Sequence, residues 1–410
     1  MREEHIWRRL LIRMFTTEPA FKRLCLLNDW WRLLPNPRQD TELDTERKCK
    51  EICYKIRNFD ALWKTPSMET GKIYAGGLFS CVKLSGDSLF VGMLDGLIKM
   101  WNLSEAGAGR RPVRVFEGHE ESVTCVDVAD SVLVSGSLDH TVRVWSTETS
   151  SLLRVLRRQG SPIVMVRLLS DRLLWWTRSG SFQISSWNGF KRVEPDVKFS
   201  LMEDPVFCLM EVGEHYVVTT ETQEAAGLSS RDIVVYSSRS GTRLFEKDIF
   251  AGRDISCLAL HGHLLYIGCG RTVEVWDVNI STCLAILQAA STDLLNITVK
   301  KIAVSDFLLV ASLSNGNMFY MPVINIIEQS LLTSSEPAII NWQVSAETIA
   351  NTEQTWKNID FSDKSIVFGL ERKLGDIKII RWDKSVGDSL AGAKVKQLED
   401  SSAIFDIDLK

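Results

Sequence analysis

Gly118-His119-Glu120-Glu121-Ser122-Val123-Thr124-Cys125-Val126-Asp127-Val128-Ala129-Asp130-Ser131-Val132-Leu133-Val134-Ser135-Gly136-Ser137-Leu138-Asp139-His140-Thr141-Val142-Arg143-Val144-Trp145 is the stretch on which the reading of this chain turns. Short β-branched runs alternate in it with clusters of Asp, Ser and Gly. A period of two between such clusters is the pattern of short strands joined by tight turns. Strands at regular spacing invite a search for repeats. The ending Val142-Arg143-Val144-Trp145 is an apolar-x-apolar-Trp unit, and it recurs at Ile98-Lys99-Met100-Trp101 and Val273-Glu274-Val275-Trp276. Weaker copies end at Trp187, Tyr236, Met321 and Trp382.

The intervals between these endings are 44, 42, 49, 40, 45 and 61 residues. Most lie near the ~40–45 residues of one four-stranded propeller blade. Seven endings predict seven blades, and the long interval predicts an insertion within residues 322–351. The fold class expected is all-β: a seven-bladed propeller over residues 70–410, preceded by a short α-helical segment over residues 1–65. Asp95-Gly96 and Asn315-Gly316 mark two further turns, and Trp175 stands at the Ser135 level of the third repeat. Near the chain end, residues 400–409 copy the strand pattern of residues 121–128, so they or residues 395–398 are expected to close the ring against residues 72–75. A ring must pair its first and last strands, because open strand edges invite aggregation.

Trp276-Asp277 and Trp382-Asp383 supply the Trp-Asp dipeptide, and residues 118–145 resemble a WD40 repeat over their whole length. The resemblance implies a hydrogen-bond chain within one blade, with His119, Ser135, Asp139 and Trp145 in its four places. Asp would orient the imidazole, the imidazole would reach the hydroxyl, and the hydroxyl would reach the indole N–H. Ser, His and Asp together also suggest a catalytic triad. Their spacing is that of the blade network, however, and no Gly-x-Ser-x-Gly elbow surrounds Ser135, so the cluster is read as structural. The chain carries no phosphate-loop, dinucleotide or His-Glu-x-x-His motif, and no catalytic residue, metal site or cofactor is expected. His261-Gly262-His263 and the pair Cys49 and Cys53 have no further ligands beside them and are read as a turn and as core thiols.

Composition narrows the function classes. Residues 1–65 carry a net charge of +4 and the remainder −8. A mildly acidic body lacks the basic face of a nucleic-acid binder. No apolar run is long enough to span a membrane. The charged start lacks the apolar core of a secretory signal, and the 9 cysteines are read as reduced. A cytoplasmic or nuclear location follows as an expectation. Protein partners are expected, with no nucleic acid and no membrane.

Within the first 65 residues, 3–15 read as an amphipathic helix with Ile6, Leu10 and Met14 along one row and Trp7, Leu11 and Phe15 along a second. Two more helical stretches follow, separated by Pro35 and Pro37. Residues 4–13, Glu-His-Ile-Trp-Arg-Arg-Leu-Leu-Ile-Arg, resemble the segment that follows an F-box. The chain thus resembles the F-box/WD-repeat family in architecture, with the F-box itself absent or truncated. That resemblance implies a non-catalytic substrate receptor of an SCF-type ubiquitin ligase. Ile6, Trp7, Leu10 and Leu11 would then lie on the adaptor side. The alternatives are helices that merely cover the underside of the propeller, and a scaffold for a different complex.

Family members that read phosphorylated peptides place arginines on one propeller face. Aligned on residues 118–145, those places hold Ser80, Leu94, Thr124, Leu138 and Ser256 here, so the arginines are missing. Basic residues fall on equivalent places elsewhere: Arg178, Lys300, Lys357 and Arg372. They are the candidate partner-binding residues, with ordinary solvated charge as the alternative.

Overall fold

A computed structural model of the chain describes residues 68–103, 111–156, 160–186, 197–200, 209–225, 228–250, 255–289, 298–305, 308–314, 318–333, 336–342, 356–361, 365–370 and 376–382, together with Arg23, Leu27, Arg47 and Lys50. The described elements are almost entirely strands. In chain order, β1 is Met68–Tyr74. The first sheet follows with β2 (Phe79–Ser85), β3 (Ser88–Met93), β4 (Ile98–Asn102) and β5 (Arg114–Phe116). The second comprises β6 (Val123–Ala129), β7 (Val132–Ser137), β8 (Val142–Ser146) and β9 (Leu152–Leu156). The third comprises β10 (Ile163–Leu168), β11 (Arg172–Thr177), β12 (Ser181–Ser186) and β13 (Val197–Ser200). The fourth comprises β14 (Met210–Val212), β15 (Tyr216–Ala225), β16 (Leu228–Ser237) and β17 (Arg243–Phe250). The fifth begins with β18 (Ile255–His261), β19 (Leu264–Cys269), β20 (Thr272–Asp277) and β21 (Thr282–Ala289). The sixth comprises β22 (Val299–Val304), β23 (Leu308–Leu313) and β24 (Met318–Pro322). Helix α1 (Val323–Leu332) and β25 (Ala338–Trp342) come next, and β26 (Trp356–Phe361), β27 (Ser365–Leu370) and β28 (Asp376–Trp382) build the seventh sheet.

In each sheet the strands β2, β6, β10, β14, β18, β22 and β26 are innermost and their successors follow as an antiparallel meander, with β25 and β1 added at the outer edges of the fifth and seventh sheets. The inner strands pack side by side: β2 against β6, β6 against β10, β14 against β18, β18 against β22, β22 against β26, and β26 back against β2. Leu174 and Trp176 of the third sheet share a core with Met210, Val212 and Val217 of the fourth. The sheets therefore form a closed ring about a central axis.

Close approach of neighbouring sheets is written into a repeated hydroxyl-thiol pair. Cys81, Cys125 and Cys257 face Gly92, Gly136 and Gly268 across the inner hairpins. A Cβ on Gly136 would strike Ile163 of the next sheet and stand 2.8 Å from Cys125 Sγ, so only glycine fits. Burial pushes the Cys81 thiol up to about 11 and Cys125 to about 12, which keeps them protonated and unreactive.

The ring closes differently from the sequence expectation. β1 pairs antiparallel with β28, from Met68 opposite Trp382 to Tyr74 opposite Asp376. The outer place of the last sheet is thus taken by the first strand, and residues 72–74 pair with 376–378, a partner the sequence did not suggest. Residues 383–410 lie outside the described residues. Register also corrects two strand endings. Trp145 pairs with Leu133, and the equivalent partners of Leu173 and Ile366 are Ser185 and Ile380, each two residues before the tryptophan named above.

The insertion holds α1 and β25. Val323, Ile326, Ile327 and Ser330 form a buried stripe at i, i+3, i+4 and i+7, while Leu332 is 83% exposed. Pro322 fixes the extended turn into this helix. β25 then adds to the outer edge of the fifth sheet, parallel to β21, so that sheet has five strands and the sixth has three. Arg23, Leu27, Arg47 and Lys50 are helical. Leu27 is buried in the core shared by the fifth and sixth sheets and α1, and its carbonyl accepts a 2.8 Å hydrogen bond from the His263 amide.

Candidate functional site

The second sheet carries the hydrogen-bond chain. His119 precedes β6, Ser135 lies on β7, Asp139 sits in the β7–β8 turn and Trp145 is near the end of β8. His119 Nδ1 is 2.7 Å from Asp139 Oδ2, and His119 Nε2 is 2.7 Å from Ser135 Oγ. Trp145 Nε1 donates to Ser135 Oγ at 2.9 Å. Burial holds the His119 imidazole below its ordinary range and outweighs the opposing pull of Asp139. Burial pushes Asp139 up, but hydrogen bonds from Thr141 and His119 together hold its carboxyl below the usual range. Neutral His119 therefore donates from Nδ1 to Asp139 and accepts from Ser135 at Nε2. Every atom of the chain is satisfied.

Sequence reading missed a fifth member. Thr141 donates to Asp139 Oδ1 through both its hydroxyl, at 2.6 Å, and its amide, at 2.9 Å. A hydroxyl two residues after a turn Asp is the signal that could have found it. Ser135 is fully buried and already engaged by two rings, so it cannot reach a substrate carbonyl. In the first sheet Ala75 and Val91 stand where the second has His119 and Ser135, and Trp101 Nε1 has no partner among the described residues.

The candidate partner-binding residues lie where the inner strands begin. Lys300 and Lys357 each occupy the bulge residue of β22 and β26, one place after the first paired residue. The same place holds Ser80, Thr124, Val164 and Ser256 in other sheets. Where this residue is a hydroxyl it is used for assembly: Thr124 Oγ1 donates to Gly136 O at 3.0 Å and to Ile163 O of the next sheet at 2.8 Å. Ser80 Oγ bridges Gly92 O and Val123 O in the same way. Lys300 is exposed. Arg178 is exposed too, and its amide donates to Pro162 O just as that of Leu138 donates to Ser122 O. Register brings Lys300 and Lys357 onto adjacent inner strands and places Arg178 three sheets away from Lys300. Arg372, Ile6, Trp7, Leu10 and Leu11 lie outside the described residues.

Deeper in the ring a second set of charges meets, and the sequence reading passed over it. The residue two places before each inner turn is Lys83, Asp127, Arg167, Glu211, Ala259, Ala303 and Asp360 in sheet order. Lys83 Nζ lies 3.4 Å from Asp127 and 3.8 Å from Asp360. Arg167 lies 3.4 Å from Glu211, and Lys301 from the adjoining level lies 3.9 Å from Glu211. Asp360, ahead of other causes, raises the Lys83 ammonium above its ordinary value. Among the described residues no group of three or more His, Cys, Asp or Glu is placed to hold a metal.

Residues 110–146 match the family model "WD domain, G-beta repeat". That repeat is a WD40 repeat. It comprises the second sheet's hydrogen-bond chain with the strand that precedes it. The chain is 45% identical over 47 residues to "Probable E3 ubiquitin ligase complex SCF subunit sconB" of Penicillium rubens, and 44% identical over 48 residues to the protein of that name in Aspergillus clavatus. Each alignment covers 12% of this chain and 7% of the relative, so only a short part of those proteins is shared. Among solved structures, the Cps50 (Swd1) β-propeller domain of Myceliophteria thermophila aligns with TM-score 0.53 at 15% identity over 76% of this chain and 98% of that one. A chain of the Mitotic Checkpoint Complex aligns with TM-score 0.57 at 12% identity over 78% and 95%. The fold is an all-β propeller that includes a WD40 repeat.

Proposed function

We propose that this chain is a non-catalytic substrate receptor of an SCF-type ubiquitin ligase, a seven-bladed propeller with one blade per sheet. The propeller holds target proteins in the cytoplasm or nucleus while other subunits transfer ubiquitin. The observation that carries the reading is the 45% identity over 47 residues to SCF subunits. The burial of Leu27 in the core of the fifth and sixth sheets supports it, because an anchor of this kind would fix the distance between adaptor and target. A rigid ring also suits a binding role, since its loops are held in place by strands. In this reading Ile6, Trp7, Leu10 and Leu11 face the adaptor, and Lys300, Lys357, Arg178 and Arg372 face the target.

Affinity purification of the full-length protein from its own cells tests the reading. The SCF adaptor and cullin are expected to co-purify, and Trp7→Ala with Leu11→Ala to weaken that association. Lys300→Glu with Lys357→Glu is expected to reduce target capture by about tenfold or more with circular dichroism unchanged, if the two lysines hold an acidic group. Targets should accumulate when the protein is depleted. A folded protein that co-purifies with neither adaptor nor cullin would overturn the reading in favour of a scaffold for a different complex.

A further inference from the structure

The β14–β15, β18–β19 and β20–β21 turns meet at one end of the fourth and fifth sheets, where the carbonyl of helical Leu27 accepts from the His263 amide at 2.8 Å. Two of these turns bring their histidines face to face. The His215 and His263 rings are parallel to within 4°, with centroids 4.9 Å apart. We infer that this stacked pair is a pH-sensitive latch for the N-terminal helical segment, which is docked while both imidazoles are neutral and is released as they take up protons. The latch concerns the attachment of that segment alone and stands whether or not the chain serves a ligase.

Hydrogen bonds hold the stack in one geometry. The Tyr216 hydroxyl donates to Asn279 Oδ1 at 2.5 Å. With its one proton used there, it accepts from His263 Nδ1 at 3.0 Å, so His263 carries its proton on Nδ1. The His263 carbonyl accepts from the Val278 amide at 2.9 Å. His263 is thus tied to Leu27 by its amide, to Val278 by its carbonyl and to Tyr216 by its ring. A force that moves the ring is felt at the amide that holds Leu27.

The charged groups described at these turns set the sign. Burial raises the Asp277 carboxyl above its usual range, and Arg23 of the helical segment, ahead of His263, draws it back down. Glu214, beside His215, is engaged on the third sheet's side. It accepts from Ser170 at 2.5 Å and lies 3.7 Å from Arg172, whose guanidinium also bonds Asp171 and Ser238. His261 lines the axial cavity with Lys83, Arg167 and Lys301. With both stacked imidazoles neutral, the cation Arg23 faces the carboxylate of Asp277. Protons on both rings add two cations 4.9 Å apart, and His263 then competes with Arg23 for Asp277. Like charges at that separation repel, so the docked arrangement binds fewer protons than the released one. Docking is therefore complete above the ordinary imidazole value of about 6.5 and weakens as pH falls below it.

Limited proteolysis of the full chain from about pH 7.5 down to about 5.5 tests the latch. Cleavage before residue 68 is read relative to cleavage of the urea-unfolded chain at the same pH. The relative rate in the wild type should rise about tenfold, the effect of a one-unit difference in proton affinity between docked and released states. His215→Gln and His263→Gln cannot take up a proton, and each should flatten the profile. Should His263→Gln loosen the segment at every pH by disturbing its turn, His215→Gln decides, because it leaves the bond between His263 and Leu27 in place. His119→Gln, in the second sheet, should leave the profile unchanged. A flat wild-type profile, or one that His215→Gln leaves intact, would overturn the latch. A profile abolished by His119→Gln would overturn it too, because the cleavage would then report unfolding of the propeller.

Discussion

Trp101 and Trp145 hold the same register position in neighbouring sheets, opposite Leu89 and Leu133, and both are fully buried. They differ in what the indole N–H meets. Trp145 donates to Ser135, whereas Val91 stands at that place beside Trp101. Substitution by phenylalanine removes similar apolar contact at both sites but takes a hydrogen bond from a buried hydroxyl only in the second sheet. Trp145→Phe should therefore cost more than Trp101→Phe, by about 1 kcal/mol in chemical denaturation. Trp145→Ala should cost about 3–5 kcal/mol, because the aromatic volume is lost as well. His119 adds a pH dependence with a defined sign. Its folded value lies below the ordinary 6.5, so the unfolded chain binds the proton more readily. The stability it confers is complete above about 6.5 and falls as pH drops below that value. In His119→Gln the slope of unfolding free energy against pH just below 6.5 should be shallower than in the wild type.

At the scale of elements, the length of the sixth interval announced an insertion but not its form. Residues 323–332 form a short apolar run, and periodicity alone does not separate a buried helix from a strand at that length. The helix follows the third strand of the sixth sheet, packs against β21 and β25, and is held by one stripe. Ile327→Ala should cost about 2–5 kcal/mol, while Leu332→Asn, at an 83% exposed position, should stay within about 0.5 kcal/mol by the same denaturation assay. The N-terminal segment is attached by the same kind of contact. Leu27→Asp would place a charge in the core of the fifth and sixth sheets, so the segment should detach. Limited proteolysis should then cut before residue 68 much faster than in the wild type. The misplaced endings at Trp187 and Trp382 have a common cause. A slip of two residues keeps every side chain on the same face, so the hydrophobic pattern is blind to it, and only strand pairing fixes Ser185 and Ile380 at the tryptophan place.

At the scale of the molecule the ring depends on one pairing between distant parts of the chain. Ile73 and Ile377 are opposite each other on β1 and β28, and both are buried. Ile73→Asp should break the closure, expose the edge of β28 and produce aggregation and a broadened unfolding transition, measured by size-exclusion chromatography and thermal melting. The amino-acid sequence by itself determined the strand content, the repeat length and the hydrogen-bond chain of the second sheet. These rest on local alternation and on residues at most 26 apart, from His119 to Trp145. Tertiary structure alone decided which strand closes the ring, where β25 adds, and that Lys83, Arg167 and Lys301 share one cavity. The physical reason is that each of these joins segments from different repeats. No period along the chain encodes which inner strands meet at the axis, and a charge one repeat reads as solvated surface becomes a partly buried donor only when the ring is complete.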